Sequence, residues 1–174
     1  MRSDAVETRL RAALAGRLTF ETFGEHWTRN FRGALDQGIP LKPGVTALLT
    51  HLANTGLPCA IATSTRTERA REHLEQAGIA QHFHSVTGGD QVARGKPAPD
   101  IYHKAAASLG LNAPDCIAFE DSDPAATAAI ASGARTVQVP DINPPGSQMH
   151  EKGHLIAATL LDGAYRVGLY PASH

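Results

Sequence analysis

Residues 116–139 read CIAFEDSDPAATAAIASGARTVQV, and the order of residue types in this stretch decides the fold. Cys116 to Phe119 is a short apolar run of strand length that leads directly into Glu120-Asp121-Ser122-Asp123. An alanine-rich helix follows around Ala125 to Ser132, Gly133 stops it, and Thr136 to Val139 is strand-like again. A strand, a helix and a strand in close succession form a crossover unit, which joins parallel neighbours rather than a hairpin.

The same alternation extends upstream. Pro43-Gly44 opens a helix with Val45, Leu48, Leu49 and Leu52 at helical spacing, and Asn54-Thr55-Gly56 closes it. Leu57 to Ala62 is a short apolar strand ending in Thr63-Ser64-Thr65-Arg66, and a helix runs from Glu68 to Ala77. Phe83 to Thr87 is strand-like, and Pro99 to Leu109 is helical and ends at Gly110. Downstream, Pro140 to Lys152 reads as a long loop, and Leu155 to Leu161 as a final short helix. The pattern predicts an α/β fold with a Rossmann-like parallel sheet covered by helices on both faces.

Before Leu41 the composition differs. Residues 5–36 read as two helices separated near Gly16, the second opening with Thr19 as its cap. Phe20, Phe23, Trp27 and Phe31 recur every three or four residues, which puts them on one face as core or interface. The chain therefore divides into a helical segment, residues 1–40, and an α/β segment, residues 41–174.

Composition excludes several classes of protein. The 174 residues are 42% hydrophobic, enough for a chain of this size to bury roughly 70% of its unfolded surface without disulfides or a structural metal. Sixteen basic and seventeen acidic residues give a net charge of −1, so no overall field favours nucleic acid or an anionic membrane. No apolar run approaches the ~20 residues that span a bilayer, and no apolar segment follows Arg2 as a secretory signal would require. Cys59 and Cys116 lie in apolar surroundings without metal-binding spacing, which fits structural thiols in a reducing compartment. The expectation is a cytoplasmic protein with a small-molecule ligand.

In parallel sheets ligands sit outside the carboxyl ends of the strands, so the polar residues there are the ones to examine. Thr63-Ser64 follows the first strand and offers hydroxyls and backbone N–H groups to an oxyanion. Lys96 lies in Gly95-Lys96-Pro97-Ala98-Pro99-Asp100 after the second, and Glu120-Asp121 follows the third. Each has a plain alternative: a helix cap, a solvated lysine, an acidic helix start. Together they make a coherent phosphate site, with Lys96 and the hydroxyl neutralising phosphate oxygens and the carboxylates holding Mg²⁺.

At these residues the chain resembles the haloacid dehalogenase (HAD) superfamily, in particular its capped phosphatases and β-phosphoglucomutase-like members. Residues 57–64 look like the family's second motif, Gly95 to Tyr102 like its lysine motif, and Phe119-Glu120-Asp121-Ser122 like its acidic motif. The resemblance implies that Thr63 binds phosphate, Ser64 assists through its backbone, and Lys96 bridges phosphate and nucleophile. It implies that Glu120 and Asp121 organise Mg²⁺, with Lys96 and Thr63 as the catalytic pair among these. Residues 1–40 would then be part of a helical cap and residues 41–174 the core. The implied activity is hydrolysis of a small phosphorylated metabolite, of the sugar phosphate or phosphoglycolate type, through an aspartyl-phosphate. A non-catalytic phosphate-binding protein and a phosphomutase are the alternatives.

Two features depart from that pattern. The family's attacking aspartates lie in a DxD motif ending a first strand, ahead of the cap, and no DxD precedes residue 41 here. The one DxD, Asp121-Ser122-Asp123, already fills the acidic motif. The expectation is a chain that begins downstream of its natural start, or one that repairs the gap by altered pairing or self-association at the sheet edge. The second departure is Pro124-Ala125, where the family places a glycine.

Rival motifs fail. Five residues separate Gly89 from Gly95, and Pro97 stands where a P-loop needs Ser or Thr. His82 and His84 share a strand face but have no third ligand in reach.

Overall fold

The computed structural model describes residues 3–14, 17–35 and 38–171. The chain forms two compact units, Met1–Pro40 and Leu41–His174.

The first unit holds α1 (Ser3–Leu14) and α2 (Phe20–Leu35). Thr19 caps α2 as its position predicts, since its Oγ1 accepts the Thr22 N–H at 3.1 Å. The Arg11 guanidinium covers the Phe20 ring at 4.3 Å and reaches Glu21, so a cation–π contact and an ion pair join the two helices. Phe23 and Trp27 stack at 6.1 Å between centroids, and Trp27 is 62% exposed. The helix break near Gly16 and the side chain of Phe31 lie outside the described residues.

The second unit contains, in chain order, α3 (Val45–Asn54), β1 (Ala60–Ala62), α4 (Thr67–Gln76), β2 (Ser85–Thr87), α5 (Asp100–Ser108) and β3 (Ile117–Glu120). It continues with α6 (Asp123–Ala131), β4 (Arg135–Gln138), β5 (Leu155–Ile156) and α7 (Leu160–Arg166). All strand pairs are parallel. β1 pairs with β2, with Ile61 opposite Val86, and β3, β4 and β5 form a separate ladder with Phe119 opposite Val137 and Val137 opposite Leu155. The parallel strands thus form two ladders, β1-β2 and β3-β4-β5, rather than one continuous sheet.

Strand alternation decides which helix packs where. Ala118 and Ala62 face α5 and α6, against Ile101, Tyr102, Ala128 and Ala129. Phe119 and Cys59 face α3 and α7, against Leu48, Leu52 and Ala164. Helices therefore cover both faces, as the apolar strand runs predict. The apolar stripe of α3 is buried through Leu48, Leu49 and Leu52. Gly44 precedes α3 at φ +87°, a conformation open to glycine, with Leu161 of α7 packed where a Cβ would project. On α6, Ala126, Ala128 and Ala129 are 0% exposed, so the helix approaches the sheet on methyl groups alone.

One element differs from expectation. Leu155 to Leu161 is not a helix: Leu155–Ile156 is the edge strand β5, and α7 starts only at Leu160. Pairing with β4 claims the first two residues, and Thr159 caps α7 by accepting the Asp162 N–H at 3.1 Å. Likewise the expected loop ends in a 3₁₀ turn, Ser147–Lys152, that buries Met149. Pro124 falls in the first turn of α6, where a proline lacks no needed donor. Both cysteines are free and partly buried, and burial pushes their thiols above the usual range. No helix among the described residues is long and apolar enough to cross a membrane.

α7 approaches the sheet closely at Gly163. A Cβ there would lie 2.7 Å from Val137 Cγ1 and 3.2 Å from the Ala157 methyl. Gly163→Ala is expected to lower stability by about 1–3 kcal/mol, overpacking outweighing the gain in helix propensity. Urea denaturation should show a lower midpoint at unchanged slope.

Candidate active site

The carboxyl ends of β1 and β3 are joined by one side chain. Lys96, on the loop between β2 and α5, sends its ammonium between them, donating to the Ala62 carbonyl at 3.1 Å and to Glu120 Oε1 at 2.8 Å. The Lys96 and Glu120 side chains are only 10% and 12% exposed. A charge so buried requires a partner, and each supplies the other's.

The lysine is held at its root. Arg94 grips Asp100 with two bonds, Nε to Oδ2 at 3.0 Å and Nη2 to Oδ1 at 2.7 Å, closing the loop that carries Lys96. The Lys96–Pro97 peptide is cis. The ammonium also lies 4.9 Å from the Tyr102 ring centroid. Tyr102, from α5, places its hydroxyl within hydrogen-bonding reach of Glu120 Oε1 and the Ala125 carbonyl. Burial first, and then the neighbouring Glu120 charge, push the Tyr102 phenol far above its ordinary value. It therefore stays a donor to Glu120 at any physiological pH.

Thr63 directly follows β1, and its N–H extends the ladder by donating to the Thr87 carbonyl at 3.0 Å. Its Oγ1 accepts the Thr65 N–H at 3.2 Å, which curls the chain toward α4 and leaves the hydroxyl proton to donate elsewhere. Ser64 is exposed at the turn, and Gly89 packs so close that a Cβ would lie 2.7 Å from the Ser64 carbonyl. Asp90 caps α4 through the Thr67 N–H at 2.7 Å, fixing the two loops against each other.

Beyond Glu120 the chain turns sharply. Asp121 is exposed and makes no hydrogen bond among the described residues. Asp123 is fully engaged: Oδ1 accepts from Gln138 Nε2 at 2.9 Å and Oδ2 from the Gly146 N–H at 3.0 Å. These two bonds hold its carboxyl below the usual range. The pair Glu120-Asp121 thus presents oxygen donors, one braced and one open. That donor set suits Mg²⁺, which keeps several waters and takes one or two carboxylates beside a phosphate. No group of three or more His, Cys, Asp or Glu side chains placed to hold a metal ion occurs among the described residues. His84 Nδ1 accepts the Cys59 N–H at 3.3 Å, so it is committed locally.

The structure thus brings Thr63, Lys96, Glu120 and Asp121 to adjoining strand ends, with Ser64 beside them. Sequence reasoning did not single out Tyr102 or Gln138 as functional. The first is readable as two residues after Asp100 in a helix facing the sheet, and the second as a polar residue in an apolar strand.

This chain belongs to the haloacid dehalogenase-like hydrolase family, whose model matches residues 8–139. Hexitol phosphatase A of Escherichia coli (strain K12) is 35% identical over 134 residues, 76% of this chain and 61% of the relative. The plasmid protein CbbY of Cupriavidus necator is 40% identical over 107 residues, 59% and 42% of the two chains. Among solved structures, a putative β-phosphoglucomutase from Thermotoga maritima superposes with a TM-score of 0.73 at 27% identity, covering 84% of this chain and 68% of that one. The chain spans 42% and 61% of the length of these two curated relatives.

Lys96→Met would leave the Glu120 carboxylate buried without its cation, at an expected cost of about 3 kcal/mol. The double variant Lys96→Met, Glu120→Gln should recover most of that loss in urea denaturation, since a neutral amide no longer needs the ammonium.

Proposed function

We propose that this chain carries the phosphate- and Mg²⁺-binding half of a phosphohydrolase site that acts on a small phosphorylated metabolite, a sugar phosphate or a phosphoglycolate-type ester. The supporting observation is the Lys96 bridge. It holds one buried cation between the Ala62 carbonyl, next to Thr63 in the chain, and the Glu120 carboxylate, next to Asp121, and phosphoryl transfer needs such groups for charge neutralisation and positioning. The names of the phosphatase and mutase relatives support the same class of substrate.

In this reading Thr63 donates its hydroxyl proton to a phosphate oxygen and the Ser64 backbone adds a second donor. Lys96 neutralises a phosphate oxygen while its other bonds to Ala62 and Glu120 keep the ammonium in place. Glu120 and Asp121 would hold Mg²⁺ through their carboxylates. The metal, when bound, adds charge neutralisation at the phosphoryl group. Tyr102 keeps Glu120 oriented through its hydroxyl.

Attack on phosphorus is a separate matter. Both oxygens of Asp123 already accept hydrogen bonds, so the Asp121-Ser122-Asp123 sequence does not supply a free nucleophile pair beside the metal carboxylate. Residues 1–174 therefore bind phosphate but turn over little ester by themselves. A further strand, from an additional segment of the same protein or by self-association, would be needed beside β1 and β3 to complete the site.

Inorganic phosphate with Mg²⁺ is expected to raise the melting temperature by several degrees at about 100 times Kd, corresponding to roughly 2.7 kcal/mol. Lys96→Ala should abolish the rise. An aryl phosphate should be hydrolysed only marginally. Mg²⁺-dependent turnover abolished by Lys96→Ala would overturn the low-activity part of the reading, and no phosphate-dependent shift would overturn the site itself.

A further inference from the structure

Gln138 ends β4 beside Glu120 of β3 and is 0% exposed. Burying an amide is costly unless both of its ends are bonded, and here both are. Nε2 donates to Asp123 Oδ1 at 2.9 Å, and Oε1 lies 2.9 Å from His154 Nε2. The direction of this chain follows from chemistry. The Asp123 carboxylate can only accept, so the amide NH₂ must face it; the amide oxygen then faces the histidine, whose Nε2 must carry the proton. His154 Nδ1 is buried and has no hydrogen-bond partner among the described residues.

The consequence for the acidic turn is geometric. Glu120 is fixed at one end by Lys96 and Tyr102. Asp123 is fixed at the other by Gln138 and by the Gly146 N–H, where the approach is so close that a Cβ on Gly146 would lie 3.0 Å from Oδ2. Asp121 sits between two clamped residues with its own carboxylate open to solvent. A carboxylate on a turn held at both ends gives up little freedom when a cation arrives.

We propose that Gln138, supported by His154, is a positioning residue: it locks Asp123 and thereby presents the Asp121 carboxylate in its ligand-ready place. This rests on the reading of Asp121 as a Mg²⁺ carboxylate. In this role both residues act only through Asp123.

The test compares the wild-type chain with Gln138→Leu, His154→Leu, His154→Gln and Asp121→Asn, using two readouts. Without metal, amide hydrogen exchange at Gly146, bonded to Asp123, and at Ala126, bonded to Ser122, should speed up about tenfold or more in Gln138→Leu, the loss of one hydrogen bond. Exchange at Thr63 and His84, in the other ladder, should not change. His154→Leu should show a smaller effect that His154→Gln, which keeps a donor, restores. With Mn²⁺ titrated by electron paramagnetic resonance, Gln138→Leu should weaken binding about tenfold and Asp121→Asn should abolish it.

Unchanged exchange at Gly146 and Ala126 in folded Gln138→Leu overturns the positioning role. Should that variant not fold, the nitrogen spectrum of wild-type His154 decides, because a ring protonated on Nδ1 rather than Nε2 breaks the chain. If wild-type binds no Mn²⁺, or Asp121→Asn binds it equally well, the metal reading falls, while the exchange measurement still decides whether Gln138 holds the turn.

Discussion

One ammonium group organises the centre of this molecule. Lys96 reaches a backbone carbonyl at the end of one ladder and a carboxylate at the end of the other, with little water near either. Isolated, either charge would be expelled or neutralised; paired, each makes the other's burial tolerable. The rest of the neighbourhood serves this arrangement. Arg94 and Asp100 close the loop that carries the lysine, and Tyr102 adds a donor to the same carboxylate oxygen. The cluster is thus built from charge compensation first.

A lysine already bonded on two sides has little reorganisation left to undergo. Its side chain would otherwise carry up to about 2 kcal/mol of rotamer entropy into any encounter with a phosphate. Here folding has already removed it. The contrast with Asp121 is instructive: its backbone is restrained and its carboxylate is open. One residue supplies a fixed field and its neighbour a vacant oxygen, a division expected where a phosphate is held by protein and a metal arrives from solution.

Much of this could be read in the sequence because parallel strands place polar residues at predictable ends. Thr63-Ser64, Lys96 and Glu120-Asp121 stand out as soon as the strands are located, and Thr19 as a cap is equally visible. What escaped was everything that depends on distance in space rather than along the chain. Nothing local to Tyr102 says that its hydroxyl meets Glu120 eighteen residues on, and Gln138 gains its meaning only from residues 15 and 16 positions away on either side. Leu155 to Leu161 is ambiguous for a related reason. A short apolar run suits a helix or a buried strand equally, and the neighbour that decides, β4, is in a different part of the chain. The cap Thr159, with Asp162 three residues later, was the local signal that would have moved the helix start.

The alanine face of α6 imposes an asymmetry on how this fold can change. Ala126, Ala128 and Ala129 are fully enclosed, so the spacing between helix and sheet equals what a methyl group occupies. Removing an atom there leaves a small void, whereas adding one requires the whole helix to withdraw, taking Asp123 and the end of the acidic turn with it. Over evolutionary time such a surface can drift toward glycine but hardly toward larger residues. The size limit is then set by the chemistry at the helix's first residue, three to six residues away from the methyl groups that obey it.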